Sequence, residues 1–328
     1  MSGAYLVRQP YIRHLRAQAK RCLEQRVVTV FLAVGAIGFG ACALATDKAQ
    51  RDFATAEQAA EALVRAMRSD DQAELLRVLG PTAEPLIRSG DEVADRESRL
   101  RLVTAYDVAH RIEPEGATRA LMVVGAEQWS LPIPVVQQGQ RWHFDTDAGV
   151  QKILDRRVGR NELSVIRVCR EYVAAQREYA ARDRLGNGPG QFAQRFDSNP
   201  GKHDGLYWEA AAGEASSPFG PLVAKARAEG YTEKDNLDRP SPYHGYYYRI
   251  LTRQGAHAPG GAKDYVIDGH MTGGYALLAY PAKWGDSGIM TFVINQDGIV
   301  FEKNLGPETQ RLAGEITAYD PDLSWGTP

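Results

Sequence analysis

Three runs of aromatic and β-branched residues between 243 and 305, broken by Gly, Pro and Asp, make the clearest pattern in the chain. The first is Tyr243-His244-Gly245-Tyr246-Tyr247-Tyr248, and the second is Gly273-Gly274-Tyr275-Ala276-Leu277-Leu278-Ala279-Tyr280. The third runs from Thr291 through Asn295, passes Gln296-Asp297-Gly298 and ends at Phe301. Such runs predict an antiparallel meander, and Asp297-Gly298 between two apolar stretches predicts a hairpin. A period of two would put Tyr243, Gly245 and Tyr247 on one face, and His244, Tyr246 and Tyr248 on the other.

The amino-terminal part has a helical period first. Thr55 and Gln58 form a capping box ahead of Ala59, Leu63, Val64 and Met67. A second helix over 73–79 stops at Gly80-Pro81, and a third runs over 97–110 through Leu100, Leu102, Val103 and Tyr106. Strands follow at 119–125, 129–136 and 141–145, with Gln138-Gly139 as a turn. Pro132 and Pro134 make the middle strand an edge or a bulge, because neither can donate to a ladder.

A long helical stretch joins the two parts. Asp147 can cap its start, and Leu163, Ile166, Val168, Tyr172, Val173 and Tyr179 carry its apolar stripe to Arg184. Charge and a glycine at 156–162 predict an interruption there, and so a domain boundary near Gly159. Arg156, Arg157 and Arg160 form a basic cluster that suits either an anionic partner or a solvated helix face. The expected fold is α+β, with a first domain over 50–155 and a second over 160–328.

Composition narrows the setting. The chain has 328 residues, 44% hydrophobic and 24% charged, the balance of a globular protein. Its net charge of −2 hides a basic start: residues 1–45 hold six basic residues against the single acid Glu24. The acidic remainder argues against nucleic acid as a partner. Residues 27–45 are uncharged and largely apolar, which predicts export. Cleavage near Ala45, retention as a membrane anchor and lipidation at Cys42 all remain open for this segment. Only Cys169 of the three cysteines falls in the body, so no internal disulfide is expected.

Several stretches carry resemblances. The helices and curved sheet of the first part resemble the cone-shaped nuclear-transport-factor-2 superfamily, which implies a pocket. Asn161-Glu162, Gln176 and Tyr179 on the long helix, with the 291–300 hairpin, resemble a pilin-like head. No leader directly precedes that helix, so polymerisation is not implied. Gly-Arg-Asn-Glu-Leu at 159–163, Ala-Gln-Arg-Glu-Tyr at 175–179, the 200–208 segment, Pro-Tyr-His-Gly-Tyr-Tyr at 242–247 and the 291–306 hairpin resemble a bacterial exported family called domain of unknown function 2950. That family implies no assigned activity and no assigned residues.

Candidate chemistry is sparse. Asp107 and His110, three apart, can pair on a helix face as a base and its orienter, or as a solvated pair at a helix end. Asp91, Asp95, Trp129 and His143 complete the set for a pocket in the first part. In the second part His203, Asp204 and His244 are the acid–base candidates, without a nucleophile elbow and without metal-ligand spacing. Tyr246, Tyr248 and Trp284 can form a recognition face for a glycan or an envelope protein. The expected function is a non-enzymatic binding or scaffolding module without cofactor, exported to the envelope or periplasm. A hydrolase acting on a cell-wall component and a small-ligand carrier using the first part's pocket are the alternatives. Membrane contact is expected only through the amino-terminal segment.

Overall fold

The computed structural model describes residues 50–328 except 187, 212 and 232–240. The export segment expected within 1–45, with Cys22 and Cys42, lies outside the described residues. Among the described residues, no helix is long and apolar enough to cross a membrane.

The fold is α+β. Helix α1 (Ala56–Arg68) starts at Thr55, whose hydroxyl accepts from the Gln58 amide at 3.2 Å, while Gln58 Oε1 accepts from the Ala54 amide. Helix α2 (Gln72–Leu79) ends at Gly80, in the left-handed region at φ +85° and followed by proline. A single turn, α3 (Glu84–Ile87), leads to α4 (Glu92–Val108), capped by Asp91. Five strands follow: β1 (His110–Pro114), β2 (Arg119–Val124), β3 (Trp129–Ser130), β4 (Val135–Gln138) and β5 (Arg141–Phe144). Their order is β1-β2-β4-β5, with β3 also paired to β2. The strand expected over 129–136 is thus two short strands, because the prolines between them cannot continue a ladder. Leu63, Leu75, Met122, Ile133 and Phe144 close the space between helices and sheet as a continuous apolar core.

Helix α5 (Val150–Ala180) crosses from this core to the next without a break. The interruption expected at 156–162 is absent. The charged residues there divide by burial: Arg156 and Arg160 keep exposed surface, while Arg157, Asn161 and Glu162 are buried with partners. Gly159 has open space around it and costs only propensity.

The second half contains α6 (Gly220–Ala228) and β6 (Tyr246–Leu251), then two small ribbons. These pair β7 (Arg253–Gln254) with β8 (Lys263–Asp264), and β9 (Val266–Ile267) with β10 (His270–Met271). Then come β11 (Ala276–Pro281), β12 (Met290–Asn295), β13 (Val300–Asn304) and α7 (Thr309–Glu315). The expected meander is a four-stranded antiparallel sheet, β13-β12-β11-β6. Its hairpin pairs Ile294 with Val300, and Asn295 Oδ1 accepts from the Asp297 amide at 3.1 Å within the turn.

Both faces of this sheet are covered. Tyr246 and Tyr248 turn toward α5, and Tyr246 packs on Phe292. Arg249, on the opposite face, donates to the carbonyls of Ala313 and Ile316 at the end of α7. The tyrosines are core residues with bonded tips: Tyr172 to the Ala276 carbonyl, Tyr246 to Met290 and Tyr275 to Val173. Each buried aromatic side chain contributes roughly 2–3 kcal/mol by leaving water, and its hydroxyl stays bonded.

Two buried charges on α5 fasten the halves. Arg157 donates to the carbonyls of Pro85 at 2.6 Å and Leu86 at 2.7 Å, and lies 3.7 Å from the Asp95 carboxylate. Glu162, wholly buried, accepts from the amides of Ile289 and Met290, each at 3.0 Å. Between them Asn161 donates to the Ser287 carbonyl at 2.8 Å. Removing one partner from such a buried charged network costs about 3–5 kcal/mol. Glu162→Ala is therefore expected to lower the denaturation midpoint by that equivalent, measured by urea unfolding. A loss below about 1 kcal/mol would mean the seam does not hold the halves.

Glu302 on β13 is a second buried acid, and burial together with the Glu162 charge pushes its carboxyl up to about 7. Its Oε2 has no hydrogen-bond partner. A raised carboxyl binds its proton more tightly in the folded state. Its stabilising effect is complete below about pH 4.5 and is lost as pH rises to about 7. Glu302→Gln should match the parent below pH 4.5 and exceed it above pH 7 by up to ~3 kcal/mol. Melting curves across pH 4–8 check this, and a constant gap would refute it.

Candidate functional site

The residues around Asp91 build the site. Asp91 Oδ1 accepts from the Ala94 amide at 3.0 Å and so starts α4. Its Oδ2 accepts from the Tyr231 hydroxyl and from the Gly245 amide, both at 2.8 Å. One carboxylate, 1% exposed, thus caps a helix of the first half and anchors two segments of the second. Burial raises its pKa, against the lowering effect of those hydrogen bonds. Burial and the Asp91 charge likewise push the Tyr231 phenol up.

His244 and Gly245 turn the chain into β6 with successive left-handed residues, at φ +52° and +76°. A Cβ on Gly245 would stand 2.6 Å from Asn161 Nδ2, so the α5 seam requires glycine there. No such allowance covers His244, and a non-glycine residue in this region stores strain of about 1 kcal/mol or more. Its amide donates to the Tyr231 hydroxyl at 3.3 Å, and its ring lies 4.1 Å from the Tyr243 ring. Nε2 faces Glu229 Oε2 at 3.5 Å. Burial, with Lys225 and Arg167 nearby, pulls the His244 imidazole down to about 4, so it is neutral at pH 7. Burial and the Glu229 carboxylate push the Tyr243 hydroxyl up.

These groups wall one side of a cleft of about 150 Å³. From α4 come Asp95, Glu97, Ser98 and Arg101; from α5 come Arg157, Arg160, Asn161 and Ser164. Glu229, Tyr231 and His244 close it. The lining mixes apolar surface, including Ala94, with polar groups, and much of its polar part is already engaged. Arg101 pairs with Glu97 and donates to Ser98 Oγ. Asp95 accepts from the Ser89 amide at 2.8 Å. The arrangement can hold a small polar molecule through charge and hydrogen bonding.

The residues singled out by sequence scatter across the molecule, except that His244 and Asp95 line the cleft and Asp91 braces its wall from behind. His203 stacks on Trp208 with ring centroids 4.3 Å apart, and its Nε2 lies 2.9 Å from Glu214. Asp204 gives both oxygens to Asn199, to the backbone amide and to Nδ2. No hydrogen bond or ion pair among the described residues links His203 or Asp204 to His244. Tyr246 is wholly buried and Tyr248 lies against the core. Trp284, in the turn before β12, donates to Asn304 Oδ1 at 2.9 Å. Asp107 pairs with Arg68, whereas His110 opens β1 and stacks on Tyr106 at 3.7 Å. His143 lies 3.8 Å from Asp52, and Trp129 is 39% exposed on its short strand.

Tyr231 and Gly245 were invisible as site residues, since nothing in their spacing pairs them with Asp91 140 and 154 positions earlier, and Glu229 because nothing pairs it with His244. The one available hint was His244-Gly245, where a histidine precedes a glycine inside an otherwise continuous aromatic run.

The family model described as Protein of unknown function (DUF2950) matches residues 50–327. No curated protein and no solved structure matches the chain.

Tyr231→Phe removes one hydrogen bond from a buried carboxylate and is expected to cost about 1–3 kcal/mol. Urea unfolding measures the loss; unchanged stability would show that Asp91 does not depend on this clasp.

Proposed function

The chain belongs to the DUF2950 family, which supplies no activity to inherit, and we propose that it is an exported, non-enzymatic binding module whose ligand site is the cleft between α4 and α5. The observation that carries the reading is the way the cleft is built. Its wall is held in a strained backbone conformation at His244, fixed from behind by Asp91 and Tyr231. Its opposite side is a rigid helix anchored at Arg157, Asn161 and Glu162. A preorganised polar cavity loses little entropy when it takes a ligand. Strain kept at one residue on such a wall is a mark of function more than of stability. The apolar run at 27–45 supports export. Membrane contact through that run, and an envelope setting, complete the proposal.

Ser98 offers a way to fill the cleft from a partly exposed helix position. Ser98→Trp is expected to leave the melting temperature within a few degrees of the parent. It should abolish saturable binding of small polar molecules, measured by ligand-observed NMR against sugars, amino acids and carboxylates. Retained binding in the filled variant, or no binding by the parent, would overturn the assignment.

A further inference from the structure

Resting on the reading of the cleft as a binding site, we propose that its ligand is a small hydroxylated monocarboxylate whose carboxylate sits on Arg160. Several charges in the lining are already engaged. Arg157 donates to two backbone carbonyls beside Asp95, and Arg101 is paired with Glu97. Glu229 Oε2 faces His244 Nε2 at 3.5 Å within the wall without a hydrogen bond. Arg160 lines the same cleft, and its guanidinium has neither a hydrogen bond nor an ion pair to any described residue. Desolvation disfavours its charge most, Arg101 and Arg157 stand close enough to add to that, and Glu97 opposes them. An uncommitted planar fork beside two other guanidiniums matches a carboxylate in shape and charge.

The field at the other side of the cleft has the same sign. After burial, Lys225, Arg167 and Arg160 are among the groups that disfavour the charged form of His244, while Glu97 favours it and the Glu229 carboxylate stands 3.5 Å away. An anion entering the cleft relieves both sides at once.

The remaining lining restricts which anion fits. Asp95, Glu97 and Glu229 would repel a doubly charged group such as a phosphate monoester. The same carboxylates can accept from ligand hydroxyls, and the Ser98 and Ser164 hydroxyls can donate to them. One negative charge surrounded by hydroxyls satisfies both sets, within a volume of about 150 Å³.

The test uses the full chain and three probes: D-glucuronate, D-glucose as its neutral counterpart, and inorganic phosphate. Titration calorimetry should detect glucuronate at least tenfold tighter than either of the others. Arg160→Gln, which removes no described hydrogen bond, should weaken glucuronate at least tenfold with an unchanged melting temperature. Arg160→Lys should recover part of the loss. In the complex the His244 imidazole should titrate above its free value, followed by its ring NMR signals. Equal binding of glucose would overturn the anion assignment and leave the cleft as a binding site. Phosphate matching glucuronate would overturn the monocarboxylate. If none of the three binds, both this assignment and the binding reading fall.

Discussion

A buried cation and a buried anion five residues apart on one helix hold this structure together. Arg157 and Glu162 lie on successive turns of α5, and neither neutralises the other. Each is satisfied by the backbone of a different half: Arg157 by carbonyls at 85 and 86, Glu162 by amides at 289 and 290. Burying an ion without partners costs far more than a fold can offset. The halves are therefore locked to α5 at a defined rotation and rise, because only one placement gives both charges their hydrogen bonds. Apolar packing alone tolerates sliding of a helix by a fraction of a turn; this arrangement does not. The directionality comes from hydrogen-bond geometry, and the bulk of the stability comes from the two apolar cores on either side.

Asp91 extends the same logic to the cleft. A helix cap ordinarily involves neighbours only, yet this carboxylate also binds a tyrosine and an amide from the far half. Its burial raises its pKa while the hydrogen bonds it accepts oppose that rise. The balance leaves a carboxylate that is stable only when both halves are in place. The cleft exists because these two fastenings, Asp91 on one side and the α5 charges on the other, stand apart. Space between two rigidly held walls is not filled by relaxation.

Much of the architecture was legible from pattern. Helical spacing at 55–79, strand alternation at 119–145 and the Asp297-Gly298 hairpin all reflect local constraints, in which periodicity and turn chemistry act over a few residues. The errors arose where a local rule met a distant partner. Charge at 156–162 resembled a helix break because, in isolation, Arg157, Asn161 and Glu162 are polar residues on what should be an apolar stripe. Their acceptors and donors come from residues 85–86 and 287–290, which no local window contains. The tyrosine run resembled a recognition face for a related reason. Alternation specifies which residues share a face of β6, but α5 and α7 decide that both faces are covered.

The same distinction explains why the cleft's chemistry was only half visible. Arg157 and Arg160 lie three apart on α5, and the sequence gives them equal standing as members of one basic cluster. In the fold they have opposite fates. Arg157 turns inward and is consumed by two carbonyls, so its charge serves the seam. Arg160, most of a turn further along, reaches the cleft with its donors uncommitted. A guanidinium that is structurally engaged cannot rotate to meet a ligand without exposing buried carbonyls. One that is unengaged loses nothing by doing so. The division between structural and functional arginine on this helix is thus set by rotation about its axis. That rotation is fixed by Glu162, two residues beyond Arg160, whose carboxylate is held by the amides at 289 and 290.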